Sequence, residues 1–161
     1  MTYRDLITFE QVGADYLKNN PKERSQLTLA LEKVLKRVAN ALVTYRQDWN
    51  EEVEKLRGEY REKEKDGTFK ERQVTVGDKI NLLPVFLPEK EKELKDKVRE
   101  IEQEWLNKEV PVERVKPHIV PPPAKLEIRY LEPFFGFVLA PMTEEEIDQH
   151  YLKQADLKDL K

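Results

Sequence analysis

The stretch Ser25 to Lys65, SQLTLALEKVLKRVANALVTYRQDWNEEVEKLRGEYREKEK, decides the fold. Its apolar residues Leu27, Leu31, Val34, Val38, Leu42, Tyr45, Trp49, Val53, Leu56 and Tyr60 recur at spacings of three and four, the period that puts side chains on one stripe of an α-helix. No proline interrupts it, and Gly58 is its one glycine. A helix over 25–65 of roughly 40 residues would be about 60 Å long, more than a small domain can enclose. Beyond Asn50 the stripe runs through an otherwise charged surface, the pattern of an exposed helix with a single apolar seam.

Downstream, Asp66-Gly67 is read as the end of this helix, since Gly accepts the left-handed conformation of a terminating turn. The period then changes from helical to alternating. Val74 and Val76, the turn Gly77-Asp78, and Ile80 and Leu82 predict a β-hairpin over 73–83, closed by Pro84 and Pro88. A second helix is expected over 89–108, with Leu94, Val98, Ile101 and Trp105 on one face and Glu89, Glu91 and Glu93 at the positive end of its dipole. The economical arrangement is an antiparallel helical hairpin with a β-hairpin tip. The second helix is half as long as the first, so part of the long seam needs cover from elsewhere in the chain or from another molecule.

Upstream, Leu6, Ile7, Phe9, Val12, Tyr16 and Leu17 fit either a short strand followed by a helix or one imperfect helix, and Asn19-Asn20-Pro21 ends the segment. The region 110–141 is Pro-rich and is expected to be extended, with a strand at Leu126, Ile128 and Tyr130. Phe134-Phe135-Gly136-Phe137-Val138-Leu139 is its most apolar part, read first as a buried strand and second as a docking surface. Thr143 followed by Glu146 is a capping box, which predicts a short helix over 144–154.

The whole chain, 1–161, is the size of one domain and is predicted to be α+β, mainly α, with a small C-terminal strand and helix module. Acidic and basic residues nearly balance, leaving a net charge of −3 and no global attraction to nucleic acid or anionic lipid. Cysteine is absent, which excludes disulfides, thiolate catalysis and Cys-based zinc binding. No apolar run is long enough to span a bilayer and the N-terminus has no apolar signal region, so neither secretion nor membrane insertion is expected.

Nucleophilic catalysis needs a nucleophile beside a base. The single serine, Ser25, sits where a helix cap belongs, and His118 and His150 lie far apart without a third ligand beside the Glu146 and His150 pair. The sequence carries no phosphate-binding glycine loop, and Glu51, Glu52, Glu54, Glu59 and Glu62 belong to a solvated helix. No catalytic residue, metal or cofactor is therefore expected. A metal-dependent hydrolase with carboxylates from distant elements is the remaining catalytic alternative.

Binding residues are easier to name. Tyr45, Trp49, Val53, Leu56 and Tyr60 on the long seam, with Phe134, Phe135 and Phe137, are core or, where the seam lacks an internal partner, anchors for another protein. The best candidate nucleic-acid surfaces are Lys33, Lys36 and Arg37 on the long helix and Lys63, Lys65, Lys70 and Arg72 around the hairpin, with Phe69 for stacking, the second group diluted by Glu62, Glu64 and Glu71. A solvated mixed-charge face is the simpler reading of that second group.

From Gln26 to Glu113 the layout resembles small uncharacterised proteins of tailed bacteriophages. The likeness rests on Glu59-Tyr60-Arg61-Glu62-Lys63 at the end of a long helix, the Asp66-Gly67 turn, a hairpin, a second helix, and Val110-Pro111-Val112-Glu113 as a short strand. The Pro-rich stretch and Phe134-Phe135-Gly136-Phe137 depart from that pattern. The resemblance implies a viral origin and carries over no functional residue. The expectation is a non-enzymatic phage protein acting through protein-protein interaction, a virion or assembly component that binds itself or another protein as a homo-oligomer or within a larger assembly. Alternatives are an inhibitor of a host polymerase or defence nuclease, and a nucleic-acid-binding accessory protein. The expected location is the host cytoplasm or the virion.

Overall fold

The computed structural model describes residues 1–159, with side chains among residues 1–153. The fold is α+β and mainly α. In chain order the elements are α1 (Tyr3–Asn19), α2 (Gln26–Tyr60), β1 (Glu71–Val76), β2 (Lys79–Pro84), a 3-10 turn (Pro88–Lys90), α3 (Glu91–Leu106), α4 (Val112–Val115), α5 (Ile128–Phe134) and α6 (Glu144–Asp159). The chain packs as two compact units, 1–44 with 107–161, and 45–106.

The first unit is built on α1 and the first part of α2. One helix, not a strand and a helix, forms at the N-terminus, because Thr2 and Asp5 cap it reciprocally: the Asp5 amide donates to the Thr2 hydroxyl at 3.3 Å and the Thr2 amide to the Asp5 carboxylate at 2.7 Å. Leu6, Phe9, Gly13 and Tyr16 line its buried face. At Gly13 the two helices approach so closely that a Cβ would lie 3.0 Å from Leu35 Cδ2. Ser25 is the cap of α2, exchanging hydrogen bonds with Thr28 at 3.0 and 3.2 Å. Leu27, Leu31, Val34, Val38 and Leu42 of α2 are buried throughout.

The C-terminal segment closes this core, and here the sequence reading needs correction. Residues 126–130 do not form a strand. Leu126, Tyr130, Leu131 and Phe134 are buried while Ile128 is exposed, so α5 uses a helical stripe inside what reads locally as alternation. A turn of helix, α4, also interrupts the expected extended region. Phe134 to Leu139 is a curled loop instead of a strand: the amides of Phe137, Val138 and Leu139 all donate to the Phe134 carbonyl at 3.1 Å, with Gly136 at φ 79°. Backbone bonds from His118 to Phe137 and from Val120 to Val138, both 2.9 Å, hold the Pro-rich run against it. The α6 start is as read, with the Thr143 hydroxyl accepting from the Glu146 amide at 3.2 Å. Its end at Asp159 lies beyond the expected 154.

The second unit is the helical hairpin with its β tip. Tyr45 packs edge-to-face on Trp105 at one end of the helix pair, at 6.0 Å, and Lys97 lies 5.3 Å over Tyr60 at the other, so α2 and α3 run antiparallel. Helix α2 stops at Tyr60, not at Lys65. The charged residues after it pair as extended backbone instead: Glu62 donates to Val85 at 2.8 Å and accepts from Lys70 at 2.9 Å. Asp66-Gly67 therefore makes a separate turn, with the Asp66 carboxylate accepting from the Thr68 amide at 3.0 Å and hydroxyl at 2.6 Å and Gly67 at φ 88°. Those two bonds from Thr68 hold the Asp66 carboxyl below its usual pKa.

Candidate functional site

The expected docking seam on α2 is covered by the chain itself. Tyr45, Val53 and Tyr60 are buried, and Trp49 and Leu56 are half-buried. Trp105 donates its indole N–H to Glu52, beside the Tyr45 ring contact. Around Tyr60 the cations of Lys90 and Lys97 stand 6.0 and 5.3 Å from the ring. The Tyr60 hydroxyl and then Lys97 hold the Glu93 carboxyl low, and the Tyr60 hydroxyl and then Glu93 hold the Lys97 ammonium high. Along this seam Tyr45, Val53 and Tyr60 lie in the interior of the hairpin, and Trp49 and Leu56 keep part of their surface in water.

Phe134 and Phe137 are likewise core. Phe137 stacks on Phe9 at 4.3 Å and Phe134 meets Phe9 edge-on at 5.9 Å. Phe135 is half-buried at the edge of a cleft of about 650 Å³ that also takes in Arg4, Asp5 and Glu132. Tyr16 joins the same aromatic group through Tyr130 at 4.9 Å and donates to Glu23 at 2.6 Å. Burial, then that hydrogen bond and the charge of Glu23, push the Tyr16 phenol above its usual pKa.

Of the cationic residues near the hairpin, Lys63, Lys65 and Lys70 gather beside Glu64 and Asp66, and Lys70 and Arg61 are ion-paired. Lys70 bonds Glu62 at 2.8 Å, which raises the Lys70 pKa, and Arg61 lies 3.6 Å from Glu71. The Phe69 ring carries Arg61 at 4.4 Å and Lys63 at 5.6 Å, so protein cations already occupy it. Lys65 and Arg72 are exposed. A larger cleft, about 700 Å³, lies between α2 and α3, floored by Leu94, Val98 and Phe86. Arg57, Arg61, Lys95 and Arg99 on its walls are offset by Glu54, Glu91 and Glu102, so its charge selects no ligand sign. Among the described residues no group of three His, Asp or Glu side chains is placed to hold a metal ion.

The surface that sequence reasoning missed is the β-ribbon itself. Strands β1 and β2 pair as Glu71↔Pro84, Arg72↔Leu83, Gln73↔Leu82, Val74↔Asn81, Thr75↔Ile80 and Val76↔Lys79. No third strand joins them among the described residues. Gly77 takes φ 62° while Asp78 keeps a negative φ, the signature of a type II′ turn. Val76, Ile80 and Leu82 are 64%, 66% and 60% exposed, and Leu83 is 37% exposed. This two-stranded ribbon has water on both faces and apolar side chains in that water. The sequence did contain the signal: two short alternating runs, bounded by proline, with no further strand in the same region to pair with them.

No family model matches the chain, no curated protein matches its sequence, and no solved structure matches its fold. No helix of the described residues is long and apolar enough to cross a membrane.

Proposed function

We propose that this chain is a non-enzymatic protein that acts by binding protein, and that the β-ribbon of residues 71–84 is its contact surface. The observation that carries this reading is the exposure of Ile80 and Leu82 on one face, and of Val76 on the other, of a sheet of two strands. Isolated apolar side chains on a surface need no explanation, but three in one ribbon, with open strand edges beside them, invite strand addition or apolar docking. The seam aromatics belong to the scaffold that presents the ribbon. The resemblance to tailed-phage proteins supplies the setting, a virion or assembly component.

The test is to replace Val76, Ile80 and Leu82 together by Thr, which keeps a strand-compatible side chain while removing most of the apolar surface. Complex formation by the full chain should be lost with the far-ultraviolet circular dichroism unchanged. Retained complexes would move the contact surface elsewhere.

A further inference from the structure

The ribbon has two unequal edges, and their hydrogen-bond parity decides what can pair with them. In an antiparallel ladder, opposed residues alternate between pairs that exchange both backbone bonds and pairs that exchange none. The Val85 amide donates to the Lys70 carbonyl at 3.3 Å, which fixes the parity of the ladder above it. Arg72↔Leu83, Val74↔Asn81 and Val76↔Lys79 are the bonded pairs, consistent with the two-residue turn. The amides and carbonyls of Ile80 and Leu82 therefore point away from β1, into solvent. Pro84 fits the same scheme, because its missing N–H falls at an outward position. The opposite edge presents Glu71, Gln73 and Thr75, whose side chains are all polar. The sticky edge is β2.

The geometry points to a second copy of this chain as the occupant of that edge, with β2 pairing antiparallel to β2 about a twofold axis through Asn81. This rests on the reading of the ribbon as a protein contact and names its partner. A twofold pairing makes opposed residue numbers sum to a constant, and centring on Asn81 sets Ile80 opposite Leu82 of the second copy. Both are outward-pointing residues, so these two pairs exchange four backbone hydrogen bonds. Ile80 and Leu82 of both copies then lie on one face as a continuous apolar cluster, the arrangement that stabilises paired strands. Lys79 falls opposite Leu83, so no like charges meet, and the two Asn81 side chains face each other, each able to donate and accept. No such match is available to the β1 edge, where Glu71, Gln73 and Thr75 would oppose polar residues.

The area is small. Ile80 and Leu82 bring roughly 200 Å² of exposed apolar surface per copy, against about 800 Å² per partner in a standard stable complex. The pairing is therefore weak and concentration-dependent, with a midpoint on the order of 10–1000 µM unless further copies or contacts add to it.

Sedimentation of the full chain between about 10 µM and 1 mM tests this. The mass should rise from 19.1 kDa toward twice that value. Leu82→Pro removes an N–H that β1 does not use and should move the midpoint at least tenfold higher, while Thr75→Pro on the other edge should leave it unchanged. In the wild-type chain, exchange of the Ile80 and Leu82 amides should slow as concentration rises, and this decides the matter even where a proline variant fails to fold. A constant mass over the whole range overturns the inference, as does dimerisation that Leu82→Pro leaves intact in a folded chain. Should the mass stay constant while Ile80 is found against a different protein, the docking role of the ribbon survives and only the second copy fails.

Discussion

Val53→Ala separates a seam that is interior from a seam that is a docking edge. Val53 is 1% exposed on the face of α2 that packs within the helical hairpin, so the substitution removes two buried methyl groups and leaves space that its neighbours fill only in part. At about 0.8 kcal/mol per buried carbon, plus a cavity contribution, the loss is roughly 1.5–3 kcal/mol. Both tryptophans, Trp49 and Trp105, lie in residues 45–106, so their fluorescence follows the unfolding of that unit. With a urea slope of about 1–2 kcal/mol per molar, the midpoint should fall by around 1–2 M. Ile80→Thr, at a position 66% exposed, should shift it by less than about 0.5 kcal/mol equivalent. The outcome that refutes the reasoning is a Val53→Ala chain of unchanged stability and altered self-association, since that would make the seam a contact surface.

Other consequences concern the first unit. Gly13→Val should destabilise it by about 1–3 kcal/mol in thermal unfolding, because the new side chain meets Leu35 at a point where even a Cβ sits 3.0 Å away. Thr143→Ala removes the acceptor of the Glu146 amide and should cost about 1 kcal/mol, seen as faster exchange of amides in the first turn of α6. Tyr16 is neutral and buried, with its pKa raised in the folded chain, so it stabilises fully below the unfolded phenol pKa and less as pH rises above about 10. Above that point stability should fall by up to ~1.4 kcal/mol per pH unit through this group, and Tyr16→Phe should remove that part of the slope in denaturation titrations.

Much of the architecture is written in local periodicity. The three-and-four spacing from Leu27 to Tyr60 and from Leu94 to Trp105 specifies two helices, Gly77-Asp78 specifies the tight turn between the strands, and Thr143 with Glu146 specifies the start of α6. Features set by distant residues were not legible. Arg61 to Lys65 suits a helix by composition, yet its backbone is taken by Lys70 and Val85. Leu126, Ile128 and Tyr130 alternate, but burial of Leu131 and Phe134 behind them makes the segment helical. The seam reads as unpaired when helix length is compared with helix length alone, whereas Leu27, Leu31, Val34, Val38 and Leu42 are buried in the unit that also holds 107–161. The exposure of the ribbon is only half legible: alternation announces its two strands, but that no third strand joins them among the described residues is a property of the fold.

A photo-crosslinking residue placed at Ile80 in the full chain, compared with one at Leu29, tests the central claim most directly. Leu29 is 58% exposed on α2, so the two positions differ in surroundings more than in access. In cells producing the chain, irradiation should yield a defined protein adduct from position 80, with this chain or another, and none from position 29. Equal adducts from both positions, or none from position 80, would contradict a protein-binding role for the ribbon.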